Sequence, residues 1–338
     1  MVTIKDLARM AGVSPTTICN VLNDREHKMK AETLKKVQEV IKETNYVPNM
    51  GAKLLGNHGP RLIGVIISHI DTYNVMRNPT FSETIGVLEQ EFHRDGYFLM
   101  FYASASVEES LRIADSWNVA GLIVMGCQMD ECSLFMRKTI TPLVFIDSYF
   151  CDDGLPYVNA GLNDRHGGYL ITKYLIEQGH RSIAYLSQGK PGRGVYYERR
   201  RGIQDAMEEQ GLPFGEDNVF TLDKDKDERA GFLRKNIDGL IKKFTALFFA
   251  HDRLAAESML CLQDMGINIP GDISLCGFDG SLYSSLCQPR LVTARQNIPD
   301  KAANAAALLM RLIRKEPLQQ RIIQLDVSLV SGGSVKKI

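Results

Sequence analysis

Residues 12–23 read GVSPTTICNVLN and crowd hydroxyls, a thiol and amides into a few positions. Such groups donate and accept hydrogen bonds, which is the chemistry that reads base edges in a nucleic-acid groove. Other stretches with chemical promise fall away on spacing. GKPGRG at 189–194 lacks the Walker spacing and its terminal Lys-Ser/Thr, and reads as a loop. DKDKDE at 223–228 lacks the glycine and final glutamate of a calcium loop and reads as a solvated turn. Serines, histidines and aspartates occur without a nucleophile-elbow sequence, so no catalytic residue is assigned. The seven cysteines are odd in number and form no Cys-x-x-Cys. They are expected to be reduced and structural in a cytoplasm, with no disulfide framework and no metal or cofactor site.

The hydrogen-bonding stretch needs elements to position it. Thr3 can cap a first helix, with Asp6 three residues on and Ile4, Leu7, Ala8 and Ala11 on one face. Gly12-Val13 ends that helix in a turn. Ser14 is a good N-cap, and Pro15 then falls at the first position of a second helix, where its missing N–H costs nothing. Pro15 therefore starts a helix and does not break one. Ile18, Val21 and Leu22 face inward, leaving Thr16, Thr17, Cys19 and Asn20 outside. A third helix carries Leu34, Val37, Val40 and Ile41 on one stripe, and its start at Lys30-Ala31 lacks a good cap. Two helices joined by a tight turn, crossed by a third, make a helix-turn-helix unit. Pattern alone supports equally a DNA-reading unit and a small helical cap on an enzyme.

After Pro48, NMGAKLLG gives a helix of about six residues between Asn49 and Gly56, too short to be stable alone in water. It is expected to fold only when something holds it. From Leu62 onward, apolar runs (LIGVIIS, YFLMFYA, GLIVMG, LVFID, SIAYLS, ALFFA, ISLCGF) alternate with amphipathic stretches. Continuous apolar strands separated by helices predict parallel sheets covered on both faces, and the length suits two of them. Small molecules bind such folds at the carboxyl ends of strands and between domains, where Asp147 ends LVFID. Trp117 is expected to pack helix on sheet.

Formal net charge is zero over 338 residues, so a uniformly basic coat is excluded. The first sixty residues nevertheless carry nine Lys/Arg against six Asp/Glu, an asymmetry that favours contact with an anion. The amphipathic start, MVTIKDLARM, does not read as a secretory signal, and no apolar run approaches the roughly 18 residues of a membrane span. A cytoplasmic location is expected, with no membrane partner.

VTIKDLARMAGVSPTTICNVLN, ETLKKVQEVIKETNYVPNMGAKLL and LIGVII resemble the LacI/GalR family of bacterial transcription repressors. AGLIVMG, PLVFID, YLIEQGHRSIAYLS, RRRGIQDAMEEQG, ALFFAHDRLA, INIPGDISLCGFDG and PRLVTARQ continue the likeness in the family's order. The resemblance implies an all-α helix-turn-helix domain at 1–46 and a hinge helix with linker at 47–61. It also implies an α/β two-lobed core at 62–338, like periplasmic binding proteins, with two doubly wound parallel sheets. The first lobe would take about 62–160 and 291–322, the second about 161–290 and 323–338, with crossings near 160, 290 and 323.

It further implies that the second helix enters the major groove of palindromic double-stranded operator DNA, read by a homodimer. Ser14, Thr16, Thr17 and Asn23 match polar positions that contact bases or phosphates, and Tyr46 and Asn49 match backbone contacts. Thr3 and Lys5 complete that set. In the hinge, Leu55 matches the apolar wedge of the minor groove, with Ala52 and Lys53 beside it. The chain departs from the pattern at Pro15, Cys19 and Asn20. Asn prefers adenine where the family's Arg reads guanine, so an altered half-site is expected.

For a carbohydrate-like effector between the lobes, Arg199 matches a hydrogen-bonding arginine and Asp279 an acidic pocket residue. With Asp147 they suit a polyol. The bland reading is that Arg199 and Asp279 merely pair. His251 stands where the family has Asn, and Asn78 and Phe81 belong to a first pocket loop that is longer than usual. A non-standard effector or an effector-independent regulator would fit those departures. The rivals are a receptor-type sugar-binding module and a carbohydrate-processing enzyme.

Overall fold

The computed structural model describes residues 2–22, 29–44, 46, 61–68, 76–104, 106–127, 129–149, 156–188 and 194–338. The chain divides into two units, residues 1–60 and 61–338. Asn23, Asn49, Ala52, Lys53 and Leu55, the hinge helix, and nearly all of GKPGRG lie outside the described residues.

The first unit contains α1 (Ile4–Ala11), α2 (Pro15–Leu22) and α3 (Ala31–Glu43). Thr3 caps α1 through a reciprocal pair: the Asp6 N–H donates to Thr3 Oγ1 at 3.2 Å, and the Thr3 N–H donates to the Asp6 carboxylate at 3.1 Å. Gly12, at φ 64°, ends α1 in the left-handed conformation that glycine adopts without strain. The Ser14 hydroxyl accepts from the Thr17 N–H at 3.2 Å, so Ser14 caps α2 and Pro15 is its first residue. Lys30 stands at the N-cap of α3 and makes no side-chain cap. Leu7, Ala11, Ile18, Val21, Val37 and Val40 form the small buried core.

The second unit begins with β1 (Leu62–Ser68), α4 (Pro79–Arg94), β2 (Phe98–Ser104), α5 (Val107–Ser116) and β3 (Gly121–Met125). Next come α6 (Met129–Lys138), β4 (Leu143–Ile146), β5 (Asn159–Leu162), α7 (Asp164–Glu177), β6 (Ile183–Gln188) and α8 (Val195–Glu209). They are followed by β7 (Val219–Leu222), α9 (Lys226–Lys243), β8 (Ala246–Phe249), α10 (Asp252–Asp264), β9 (Ser274–Cys276) and α11 (Leu282–Leu286). The chain closes with β10 (Thr293–Arg295), α12 (Ile298–Ile313), β11 (Ile322–Leu325) and β12 (Ser328–Val330).

One six-stranded sheet runs β11-β5-β4-β3-β1-β2 and is parallel throughout. A four-stranded parallel sheet runs β7-β6-β8-β9. The antiparallel ribbon of β10 and β12 joins the second sheet through bridges from Val292 to Cys276 and from Arg295 to Asp279. The central strands of each sheet are buried on both faces, which is why they read as continuous apolar runs: β3 and β8 are buried at every position. The chain passes between the lobes after Leu162, after Arg295 and after Leu325. These passages lie a few residues beyond the expected 160, 290 and 323. β5 and β11 stay in the first sheet to their ends, and Val292 to Arg295 still pair with the second.

Trp117 corrects one expectation. It follows the last turn of α5 and is 59% exposed, so it does not pack helix on sheet. The turn at 223–228 is exposed, and Asp225 caps α9 by accepting from the Asp227 and Glu228 N–H groups. Among the described residues, no helix is long and apolar enough to cross a membrane.

Candidate functional site

Two places gather the residues singled out in the sequence. The first is the outer face of α2. Ile18 and Val21 point into the core, so the helix turns Ser14, Pro15 and Thr16 outward, all exposed. Thr17, Cys19 and Asn20 are half-buried at its margin. Ser14 and Thr17 share a hydroxyl contact of 3.0 Å, which fixes the start of the helix. Thr3 and Lys5 are exposed at the start of α1, and Tyr46 packs against the small core.

The second is the cleft between the lobes. A cavity of about 690 Å³ opens there between the start of α4, the segment Asp279 to Leu282 and the passages at 295–299 and 326–328. That volume lies in the range of small-molecule sites. Of the expected ligand residues, Asp279 lines it directly. Asn78 caps α4 by accepting from the Thr80 N–H at 3.0 Å, and Phe81, packed on the first-lobe core, lies between the rim residues Pro79 and Glu83 in the first turns of α4.

Arg199, on α8, is 4% exposed and sits behind that wall. Its Nε donates to Asp164 at 2.7 Å, its guanidinium stacks 3.5 Å from the Phe278 ring centroid, and Asp279 lies 3.6 Å away. Arg199 thus pairs more tightly with Asp164 than with Asp279, so the bland ion-bridge reading is only part of its environment. Two glycines allow this approach. A Cβ on Gly202 would stand 1.8 Å from the Arg165 carbonyl oxygen, and one on Gly168 would stand 2.1 Å from that of Arg199. α7 and α8 therefore touch backbone to backbone, which places Arg199 over the first turn of α7.

Asp279 also accepts from Gln296 Nε2 at 2.6 Å. Gln296 Oε1 in turn accepts from Lys301 Nζ at 2.9 Å, and Lys301 pairs with Asp147 at 2.5 Å. Asp147 is thereby connected to Asp279 through two intermediates, not by contact. Both carboxylates ride on backbone that non-glycine residues rarely adopt, with φ 54° at Asp147 and 119° at Asp279. Burial pushes Asp279 up to about 6, against the lowering effect of Arg199. Nearby Asp252 is pushed up to about 8, again chiefly by burial, while it accepts from Thr293 and Ser281.

His251 does not line that cavity and has a structural task. Its Nδ1 accepts from the Leu254 N–H at 3.1 Å and caps α10, so Nε2 carries the hydrogen toward Gln188 Oε1 at 3.2 Å. Burial, with the charge of Arg199 added, pushes it down to about 3 and keeps it neutral. Three buried polar atoms lack a hydrogen-bond partner among the described residues: Thr80 Oγ1, Asp147 Oδ1 and Ser187 Oγ. No group of three metal-binding side chains occurs among the described residues.

Sequence reasoning missed Asp164, Gln296, Lys301 and Tyr149, whose hydroxyl donates to Asp164 and to the Leu162 carbonyl. One signal was available for Lys301. It falls four residues before Ala305 and eight before Leu309, on the apolar stripe of α12, where a lysine needs a buried partner.

Residues 3–49 match the model of bacterial regulatory proteins of the lacI family, and residues 172–335 match that of a periplasmic binding protein-like domain. The HTH-type transcriptional repressor PurR of Vibrio parahaemolyticus serotype O3:K6 is 32% identical over the whole of both chains. The HTH-type transcriptional regulator GalR of Salmonella typhimurium strain SL1344 is 30% identical over 99% of this chain and 96% of its own. Among solved structures, the lac repressor dimer bound to operator and an anti-inducer superposes with a TM-score of 0.85 at 23% identity, covering 99% of each chain. The chain belongs to the lacI family of bacterial regulatory proteins: it is a DNA-binding transcriptional repressor and not an enzyme.

Proposed function

We propose that this repressor acts in the cytoplasm as a homodimer on a palindromic operator, under the control of a small, hydroxyl-rich effector held between the lobes. One observation carries the DNA half of this reading. The exposed face of α2 presents Ser14, Pro15 and Thr16 while Ile18 and Val21 anchor it from behind. Thr17, Cys19, Asn20 and Asn23 complete the reading surface, with Thr3, Lys5, Tyr46 and Asn49 on the phosphate backbone. Ala52, Lys53 and Leu55 address the minor groove. A dimer suits the reading because two-fold protein symmetry mirrors a palindrome, as in the lac repressor dimer on its operator.

The effector half is supported by Asp279 on the cavity wall with Arg199 behind it. Asn78, Phe81, Asp147 and His251 are further ligand candidates in this reading. An effector hydroxyl that meets an unpartnered buried oxygen such as Asp147 Oδ1 recovers about 1–3 kcal/mol of desolvation. Selection of binding sites from random double-stranded DNA tests the reading. The expected half-site carries adenine, not guanine, at the base read by Asn20. Recovery of guanine there would sink the assignment of Asn20, and recovery of no site at all would sink the operator reading.

A further inference from the structure

The polar contacts behind the cleft form a closed ring around the lobe passages. Lys301 and Asp147 belong to the first lobe, on α12 and just after β4, and are 154 positions apart in the chain. Gln296 sits in the second passage and receives the Lys301 ammonium on one side of its amide while donating to Asp279 on the other. Asp279, Arg199 and Asp164 continue through the second lobe. Tyr149, two residues after Asp147, returns to the first lobe by donating both to Asp164 and to Leu162 at the first passage. The third passage is tied in as well, because the Asn163 N–H donates to the Leu325 carbonyl at 2.9 Å.

Lys301 is the unusual member. It is 0% exposed, and its neighbours on the α12 stripe, Ala302, Ala305 and Leu309, are core residues. A buried ammonium persists only with well-placed partners, and these two are a carboxylate and an amide oxygen. The amide belongs to a group that would otherwise face a ligand's hydrogen-bond donors, since Gln296, like its partner Asp279, lines the cavity. Rotation of one lobe against the other must part Gln296 from Lys301 or from Asp279, leaving buried polar groups unpaired.

We infer that Lys301, buried behind the cavity-lining Gln296, is a built-in latch between the lobes: it fixes the angle between them when no small molecule is bound, and an effector acts by drawing Gln296 away from it. This rests on the proposed function, because it supplies the element that the effector reverses. A ligand shifts a two-state equilibrium only through different affinity for the two states, and competition with Lys301 for Gln296 on the cavity wall provides that difference.

The test compares full-length wild type with the double variant Asp147→Asn, Lys301→Met. Removing both charges together avoids leaving one uncompensated, a replacement that buried ion pairs commonly tolerate. Thermal denaturation should show the variant folding cooperatively, with a transition within a few degrees of wild type. Hydrogen exchange at backbone amides of 295–298 and 163–164 should be at least tenfold faster in the variant. Its affinity for the DNA site selected by wild type should shift by about tenfold or more. A cooperatively folded variant with wild-type exchange at the passages and wild-type DNA affinity overturns the inference. Failure of wild type to bind any selected DNA would instead sink the proposed function, and the exchange comparison still decides the role of Lys301.

Discussion

Buried titratable side chains set the residue-scale behaviour of the core. His251 is pushed down to about 3 and His180 is also lowered, each first by burial. His180 is held between the Thr245 hydroxyl and the Lys336 carbonyl, tying the last residues to the second lobe. Both imidazoles are neutral in the fold and take up protons more readily when unfolded, near the ordinary value of 6.5. Their contribution to stability is therefore present above about pH 6.5 and is lost as pH falls below it. Asp279 and Asp252 act oppositely: raised to about 6 and about 8, they contribute most at low pH and lose that contribution as pH rises through those values. Asn can replace the capping acceptor of His251, so His251→Asn isolates the titration. Urea unfolding at pH 7 and pH 5 should show a smaller loss of stability in His251→Asn than in wild type, because the aspartates are common to both. Equal losses in the two proteins would remove His251 from the acid response.

At the scale of elements, the contact of α7 with α8 positions Arg199. Its tightness comes from Gly168 and Gly202, whose missing Cβ atoms let backbone meet backbone. Gly202→Ala places a methyl group against the Arg165 carbonyl, and backbone cannot swing aside as a side chain can. The expected loss is ~3 kcal/mol, the upper end for overpacking, read as a lower urea midpoint at unchanged slope. Gly231→Ala, at a helical glycine with open space around it, is the control and should be neutral or slightly stabilising. The elements were legible in the sequence where burial is two-sided or a cap is explicit. β1, β3, β6 and β8 read directly as apolar runs, and Thr3, Asp6, Ser14 and Pro15 mark their helix starts. β5 was not legible, because NAGL is short and made mostly of small residues, with Leu162 its one large apolar side chain; it is a strand because its neighbours β4 and β11 supply the ladder. β11 and β7 lie at sheet edges and expose part of their length, which blurs the apolar signal. In the site, Arg199 and Asp279 were legible through the block likeness. The Asp164 and Lys301 links were not, because they join residues far apart in sequence whose meeting depends on three passages between the lobes.

For the whole molecule, zero net charge hides a division of labour. The first sixty residues hold nine Lys/Arg against six Asp/Glu, and the remaining chain carries the compensating excess of acid. Long-range attraction to DNA must then come from the first unit, and the acidic remainder opposes unspecific adhesion of the core. The second unit supplies what a small molecule can bias: two lobes linked by three passages, with a polar ring around them. Under the proposed function, coupling between effector and operator is reciprocal, so an effector that weakens DNA binding must itself bind DNA-bound protein more weakly by the same factor. The central claim, that this chain is an operator-binding repressor whose contacts to phosphate come from its first unit, is tested most directly by a salt titration. Affinity of the full-length protein for its selected DNA site is measured between 50 and 200 mM salt. A dimer making about six or more phosphate contacts should lose about a thousandfold in affinity over that range. Binding that is absent, or indifferent to salt, would contradict the account.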